Sequence, residues 1–332
     1  MSEQYTVRAA SLNDAQAVTD LVNICAVAET GHANADVSTL LSDWQTPYCD
    51  PQAQVRLVLD GDRLVGYASF WAEPPCATVW ARCGVHPTYK GQGIGTYLAQ
   101  WLTATARVVA LTRAPRETKV VLNQLKSDGD SDSRDLLLLQ GYQPVRHFLR
   151  MGIDLDTQPP EPVFPVGLTV RTFDRVTDLA GLVRAEQEIF RDHWGYVVLD
   201  FEQDLQAWAH WLDHDPYHDP TLWFLVMDNA AIAAVCLCTG TVTGEPDVGY
   251  VASLGVHRGW RQKGVGLAML HLAFGEFYRR GKTQVTLDVD AESLTGATRL
   301  YEKAGMRVLR RQTAYELVLR EGRELATQTL EA

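Results

Sequence analysis

Two glycines and the basic residues before them form the stretch of this sequence best suited to chemistry. Gly264 and Gly266 follow Arg261 and Lys263, and they open a segment whose apolar residues recur at helical spacing. A helix N-terminus presents backbone N–H groups without intrahelical partners, and a glycine there allows an anion to come close to them. The stretch therefore predicts an anion-binding turn that suits phosphate groups.

The same turn occurs earlier in the chain. The segment Gly84–Gly95 aligns without gaps with Gly255–Gly266, and this alignment places Lys90 opposite Arg261. A single copy would be explained as well by small residues that ease the packing of a helix on a strand. Two copies that lie about half a chain apart indicate a duplicated domain rather than a solenoid.

The elements around each turn must position it. An apolar strand precedes each glycine turn and an amphipathic helix follows it. In both halves this unit comes after helices and antiparallel strands, and a strand, a helix and a last strand follow it. The order predicts an α+β fold, with a mixed, mostly antiparallel sheet flanked by helices in each half.

A proline-rich segment marks the seam between the halves. Four prolines lie between Asp156 and Pro165, where neither a helix nor a central strand is compatible with them. We therefore predict a first domain over 1–155, a linker over 156–167, a second domain over 168–320 and a polar tail over 321–332. We expect the tail to be frayed.

Composition restricts the class of function. The chain has 332 residues and a net charge of −11, which weighs against nucleic-acid and membrane partners and mildly favours a cationic substrate such as an amine. Solubility alone explains an acidic surface at least as well. The six cysteines form no CxxC pair, and the acidic loop 126–133 lacks the closing glutamate of a calcium loop. The histidines of 208–219 resemble metal ligands, but a helix end followed by a proline turn explains them as well. We predict a cytoplasmic monomer or homodimer without a metal site.

Two motifs resemble one family. Arg261–Gly266 resembles the acyl-CoA pyrophosphate loop of the GNAT acetyltransferase superfamily, whose pattern is Arg/Gln-x-x-Gly-x-Gly/Ala. Ala297–Met306 resembles the second signature of that family, a helix ending in Leu-Tyr-Glu-Lys-x-Gly-Phe, with Met306 where phenylalanine is usual. The layout is similar to that of tandem two-domain GNAT proteins of the mycothiol synthase type, so the resemblance implies two tandem GNAT domains.

The resemblance also implies a binding mode for acetyl-CoA, in a gap between two splayed parallel strands. Backbone groups of the strand end would pair with the pantetheine arm, N–H groups of the turn would hold the pyrophosphate, and Arg258 and Lys263 would add charge. The implied residues of the second half are Leu254, Gly255, Val256, Arg261, Gln262, Lys263, Gly264, Val265, Gly266 and Leu267. Those of the first half are Cys83, Gly84, Val85, Lys90, Gly91, Gln92, Gly93, Ile94, Gly95 and Thr96.

The family's catalytic groups can be carried over in part. Tyr301 stands where the family usually keeps a general acid, and a phenol with a pKa of about 10 can protonate the departing thiolate. Asp247 and Glu245 are candidates for the base, although both can equally be loop residues at a strand start. His193 and Trp194 follow the first helix of the second domain and are candidates for the acceptor pocket, or for loop packing alone.

The first half departs from the family at one position. Aligning Gly141 with Gly305 sets Leu137 opposite Tyr301, and leucine has no proton to donate. We expect the first domain to be degenerate, binding acyl-CoA or serving only as structure, while the second domain catalyses. The predicted function is transfer of an acetyl group to a primary amine of a small molecule by direct attack. The alternatives are another acyl donor, a protein amine, or a CoA-binding regulatory or scaffold protein without turnover.

Overall fold

The computed structural model describes residues 4–46, 48–215 and 217–329. The strands of the first half are β1 (Tyr5–Ala9), β2 (Val55–Asp60), β3 (Arg63–Trp71), β4 (Thr78–Val85), β5 (Val120–Ser127) and β6 (Gln143–Asp154). Its helices are α1 (Ala15–Thr30), α2 (Val37–Trp44), α3 (Pro51–Gln54), α4 (Ile94–Arg113) and α5 (Ser131–Leu139).

The second half repeats this order after residues 156–167, which contain neither helix nor strand. Its strands are β7 (Leu168–Thr172), β8 (Trp223–Asp228), β9 (Ala231–Thr239), β10 (Val248–Val256), β11 (Gln284–Asp290) and β12 (Arg307–Arg320). Its helices are α6 (Arg175–Phe190), α7 (Phe201–His214), α8 (Val265–Arg279) and α9 (Ala297–Lys303).

The chain divides into two compact units that are not contiguous in sequence. The first contains residues 1–146 and 312–325, and the second contains residues 147–311 and 326–332. The last strand of each half of the sequence thus pairs with a strand of the other half: β12 pairs with β5, and β6 pairs with β11. The predicted contiguous domains, 1–155 and 168–320, differ from the units at these strands, because pairing across a sheet does not follow chain order.

Each unit contains one mixed sheet. The strand order is β1-β2-β3-β4-β5-β12 in the first unit and β7-β8-β9-β10-β11-β6 in the second. Neighbouring strands are antiparallel except for β4 with β5 and β10 with β11, which are parallel. The predicted α+β class, with a mostly antiparallel sheet flanked by helices, is confirmed.

The core of each unit lies on both faces of its sheet. In the second unit, α8 buries Met269, Leu270, Phe274 and Phe277 against β9, β10 and β11. The helix α6 covers the opposite face, with Leu182 and other apolar residues packed on β8 and β9. The first unit has the same two layers, built by α4 on one face and α1 on the other. Burial of these apolar side chains fixes which strand face each helix covers.

The tail is docked rather than frayed. In the first unit the backbone of Arg323 bonds to Glu117 and Lys119. In the second unit Thr327 exchanges backbone hydrogen bonds of 2.8 Å with Gly195 and Tyr196. The polar composition correctly indicated exposure, but it does not report backbone pairing, which is independent of side-chain polarity. Residues 330–332 of the predicted tail lie outside the described residues.

Candidate functional site

A gap opens in the second sheet where β10 and β11 part. The two strands pair only from Val248 to Tyr250 and from Gln284 to Thr286, although β10 continues to Val256. Beyond Tyr250 the backbone groups on this edge of β10 lie outside the β10–β11 ladder. The predicted pantetheine-binding residues 254–256 lie in this segment, so an extended polar chain placed there has backbone partners.

The start of α8 differs from that of most helices in the chain. Five of the described helices begin behind an aspartate that accepts backbone N–H bonds: α2, α3, α5, α6 and α7. By contrast, α8 begins at Gly264, which has a φ of 85°, and no described side chain caps it. Among the described residues, no heavy atom lies within 4 Å of a Cβ built on Gly264. The first N–H groups of α8 are therefore presented at an open glycine, as an anion site requires.

The second glycine of the turn also has a packing role. A Cβ on Gly266 would lie 2.9 Å from Cδ2 of Leu300, so this glycine allows α9 to pack against α8. Its N–H group still belongs to the first turn of the helix. Gly264 thus leaves open space beside the turn, whereas Gly266 allows the close packing of α9 on α8.

A buried carboxylate holds the basic turn to the end of α6. Asp192, which is 3% exposed, accepts from Nε of Arg258 at 2.9 Å and from Nη1 of Arg261 at 2.7 Å. Arg261 also donates to the carbonyl oxygens of Val256 and Ile189. The Arg258 and Arg261 guanidinium groups hold the pKa of Asp192 well below its ordinary value. Arg258 was expected to offer charge to the ligand, but its charge is directed to Asp192.

Replacing Asp192 with asparagine is expected to destabilise the protein by about 2 kcal/mol at pH 7, because three charge-assisted hydrogen bonds, two from Arg258 and one from Arg261, lose their acceptor charge. Since the folded pKa of Asp192 is lowered, its contribution is complete above the ordinary carboxyl pKa and is lost as the pH falls toward the folded value. Urea unfolding at neutral and acid pH measures the difference. An exposed pair provides the control: Asp213→Asn, which breaks the contact with Arg175, should change stability by less than about 1 kcal/mol.

Tyr301 lies in the core of the second unit, within electrostatic range of Tyr250. It is 7% exposed on α9, and its carbonyl oxygen accepts from the backbone N–H of Met306 at 3.0 Å. Burial raises the pKa of the Tyr301 phenol, and the nearby Cys236 adds to the effect. The phenol therefore remains protonated at neutral pH, which is the state that a general acid needs.

Asp247 does not lie at the gap. It precedes the three parallel pairs, its carbonyl oxygen accepts from the N–H of Thr283 at 3.0 Å, and the strands part only beyond Tyr250. Glu245, the second candidate, lies in the turn before it and donates its N–H to Val242. The structure thus places residues 254–256 along the gap and Tyr301 within electrostatic range of Tyr250, where the strands part, and it leaves Asp247 at the opposite end of β10.

Sequence reasoning missed a polar cluster on the α6 face of the gap. Arg150 of β6 donates to both carboxylate oxygens of Asp288 at 2.7 Å, and its guanidinium lies 5.2 Å from the centroid of the Tyr250 ring. The hydroxyl of Tyr250 donates to Asp288 at 3.1 Å. Ser253 of β10 donates to Glu186 of α6 at 2.9 Å. The available signal was a charged residue between buried apolar neighbours, as in Leu287-Asp-Val and Leu149-Arg-Met.

The two predicted acceptor-pocket residues lie in the loop after α6. The ring of His193 packs edge-on against Phe190 at 4.6 Å, and burial lowers its pKa. The ring of Trp194 lies 6.5 Å from Phe148 of β6, and its Nε1 donates to Gln328 of the tail at 2.9 Å. The tail therefore covers the loop that carries both residues.

The first unit repeats the backbone of this site. The strands β4 and β5 part beyond Ala81, and Gly91 and Gly93 have φ values of 77° and 82°. Leu137 occupies the place of Tyr301, since its carbonyl oxygen accepts from the N–H of Tyr142 at 3.1 Å, as that of Tyr301 does from Met306. Lys126 of β5 donates to the carbonyl oxygen of Cys83 at 3.4 Å and so spans this gap.

Strand registers allow the two units to be compared position by position. If Gly141 is matched with Gly305, then Arg150 corresponds to Ala314 and its partner Asp288 to Leu125. Along the parallel pair Tyr250 then corresponds to Trp80. The first unit therefore keeps the backbone of the site but has no ionisable group at these three positions.

Two searches of the described residues bear on other classes of function. None of the helices described is both long enough and apolar enough to cross a membrane. No group of three or more His, Cys, Asp or Glu side chains in residues 4–46, 48–215 and 217–329 has the arrangement needed to hold a metal ion.

Comparisons with known proteins support one family. The acetyltransferase (GNAT) family matches residues 17–124 and 183–306, so that both halves are covered. A mycothiol acetyltransferase of Salinispora arenicola is 31% identical over 253 residues, which cover 73% of this chain and 74% of that protein.

Solved structures agree with the family match. A GCN5-related N-acetyltransferase from Sphaerobacter thermophilus has a TM-score of 0.80 and 32% identity, and the match covers 99% of this chain and 100% of that chain. A tandem GNAT protein from the clavulanic acid biosynthesis pathway has a TM-score of 0.69 at 18% identity, over 96% of this chain and 100% of that chain, which supports the fold alone. The chain therefore belongs to the GNAT acetyltransferase family and is an N-acetyltransferase with two GNAT regions in tandem.

Proposed function

We propose that this enzyme transfers an acetyl group from acetyl-CoA to a primary amine of a small molecule, by direct attack, in the second unit. The observation that carries the proposal is the difference between the two units. Both units have a strand gap and an uncapped helix start, but only the second combines an unbridged gap with a protonated Tyr301. In the first unit Lys126 spans the gap, and Leu137 stands in the place of Tyr301.

The residues present fit acetyl-CoA as a co-substrate, which would supply the activated acyl group. The N–H groups from Arg261 to Leu267 would hold the pyrophosphate, because they surround the open Gly264 and the uncapped helix start. Lys263, whose Nζ lies 4.6 Å from the Trp260 ring centroid, provides a cation beside the turn. Backbone groups of 254–256 would pair with the pantetheine arm along the free edge of β10.

The chemistry is a displacement at the thioester carbonyl. The amine nitrogen forms a bond to the carbonyl carbon, the carbon–sulfur bond breaks, and sulfur takes the electron pair of that bond. Tyr301 would give its phenolic proton to the sulfur, and solvent would then restore the phenol. Asp247 was the predicted acceptor of the amine proton; its position before the paired part of β10 is a reason to look for a base nearer the gap.

The acceptor is proposed to be a small cationic molecule. Acidic side chains on the α6 face of the gap, Glu186, Asp288 and Asp290, together with the net charge of −11, favour an ammonium group. The name mycothiol acetyltransferase, given to the Salinispora arenicola relative, also supports a small-molecule acceptor.

A thiol-release assay with a panel of amines tests this function. We expect free CoA to appear from acetyl-CoA only when an amine is present, with sequential rather than ping-pong kinetics. Tight binding of acetyl-CoA without turnover against any amine would favour a CoA-binding regulatory protein instead. Faster turnover with a longer acyl-CoA would show that the acyl donor is not acetyl-CoA. Activity confined to peptides would show that the acceptor is a protein amine.

Removing residues 326–332 is expected to raise the KM for the acceptor about tenfold, with little change in kcat. The tail makes hydrogen bonds to the loop that carries His193 and Trp194, and their loss of about 1 kcal/mol each would leave the loop less ordered. Steady-state kinetics with the acceptor varied provide the measurement. Thr327→Ser keeps the backbone and hydroxyl donors and is the matched control. An unchanged KM in the truncated enzyme would show that the tail does not contribute to acceptor binding.

A further inference from the structure

The direction in which the pantetheine arm would run along β10 indicates where the acyl group would lie. This inference rests on the proposed function. The pyrophosphate turn follows Val256, so the arm runs from Val256 back to Leu254. The thioester end then falls near Ser253 and Tyr250, where β10 leaves β11. A bulge between Val251 and Ser253 interrupts the pairing of β10 with β9 at the same place.

The helix α6 lies directly over this part of β10. A Cβ on Gly255 would collide with Ile189 and would come within 2.9 Å of Phe190, so the strand and the last turn of α6 are in close contact. Glu186 lies one turn earlier in α6, and its Oε1 accepts a hydrogen bond of 2.9 Å from the hydroxyl of Ser253. A carboxyl group is therefore held beside the thioester end of the gap.

From this geometry we propose that Glu186 is the general base that removes a proton from the acceptor amine. The proton moves from the ammonium nitrogen to a carboxylate oxygen of Glu186. The freed lone pair forms the carbon–nitrogen bond, and the Tyr301 proton goes to the departing sulfur. Bond formation makes the attacking nitrogen acidic, so its second proton leaves as the intermediate collapses and passes through solvent to the Tyr301 phenolate, which restores the phenol. Glu186 returns its proton to solvent, and no further reactant is needed.

The electrostatic surroundings suit this role. Burial raises the pKa of Glu186 to about 7, and nearby Asp204 of α7 adds to the rise, while the Ser253 hydrogen bond opposes it. Tyr196, in the loop after α6, also lies within electrostatic range of Glu186. A base works best when its pKa lies near the working pH, because it is then both ionised and able to hold a proton.

The first unit lacks this arrangement. The alignment of Gly84 with Gly255 places Arg82 at the position of Ser253, and its guanidinium lies over the Trp71 ring at 5.2 Å. The first unit therefore lacks a carboxyl group hydrogen-bonded to this strand position, and it also lacks a counterpart of Tyr301.

Glu186→Gln tests the proposal, because the amide keeps the shape of the side chain and can still accept from Ser253. We expect kcat/KM for the amine to fall about 10²-fold at pH 7 and the acid limb near pH 7 to disappear from the pH profile. Binding of acetyl-CoA, measured by calorimetry, and the midpoint of thermal unfolding should stay near wild type. Glu188→Gln, the same charge change at an exposed position of α6, is the control.

Ser253→Ala provides a second test, because the pH profile would not shift if Glu186 had only a structural role. Since the Ser253 hydrogen bond lowers the pKa of Glu186, its removal should shift the acid limb to higher pH. An unchanged acid limb in both variants, with wild-type turnover intact, would reject Glu186 while leaving the acetyltransferase function standing. Complete loss of activity in Ser253→Ala, together with ping-pong kinetics of the wild-type enzyme, would reject Glu186 as the base in favour of an acyl-serine intermediate. A wild-type enzyme that acetylates no amine would reject the function and the base together.

Discussion

Replacing Tyr301 with phenylalanine is expected to lower kcat about 10³-fold, while the affinity for acetyl-CoA changes little. The thiolate of CoA leaves poorly without a proton, and the phenol of Tyr301 is the group proposed to supply it. Burial raises the pKa of this phenol above its ordinary value, so the loss should be nearly uniform from pH 6 to 9. Steady-state turnover with saturating acetyl-CoA measures the effect. Tyr278→Phe, at a 39% exposed tyrosine of α8, is the control.

A donor with a better leaving group separates acid catalysis from packing. An aromatic acetyl thioester releases a thiolate that needs no proton, so Tyr301→Phe should lose far less activity with that donor than with acetyl-CoA. A packing defect would lower turnover with both donors alike and would lower the midpoint of unfolding. Equal losses with the two donors would therefore count against Tyr301 as the acid.

Replacing Gly264 with alanine is expected to weaken acetyl-CoA binding about 10²-fold. Gly264 has a φ of 85°, and in this region an L residue costs about 1 kcal/mol or more. The larger effect comes from the new methyl group, which enters the open space beside the α8 N-terminus where the pyrophosphate is proposed to lie. Isothermal titration with CoA measures the loss.

The first unit supplies a matched control for this change. Gly93 starts α4 with a φ of 82°, so Gly93→Ala imposes the same backbone strain without touching the second unit. The two variants should lose similar stability, whereas only Gly264→Ala should lose CoA affinity and turnover. If Gly93→Ala also abolished a CoA-binding event, then the first unit would be a second binding site despite Lys126.

The separation of roles between the units has a simple physical basis. A glycine turn and a splayed strand pair are backbone features, and both units retain them. Catalysis requires particular side chains, and these can change without loss of the fold because apolar residues fill the same positions. Leu137, at 2% exposure, packs where Tyr301 stands in the second unit.

Local patterns in the sequence were enough to predict the turns and their duplication. The glycines of a helix start, the apolar periodicity around them and the motif ending at Met306 all depend on residues close together in the chain. The tandem GNAT fold, the mixed sheets and the contrast between Tyr301 and Leu137 could be predicted for that reason. The partners of the last strands, β6 and β12, could not be predicted, because both strands pair with strands far away in the chain and no local pattern distinguishes the two partners.

Only the tertiary structure decided which side chains meet at the gap. Arg150, Asp288 and Tyr250 come from three strands, and their contact depends on register and on the face to which each side chain points. Glu186 meets Ser253 because α6 packs over β10 next to a bulge, which no local pattern encodes. Asp247 was a reasonable candidate by proximity in sequence, but three paired residues separate it from the opening. Sequence determines local conformation and burial pattern, whereas distances between remote side chains follow from packing, and the chemistry depends on those distances.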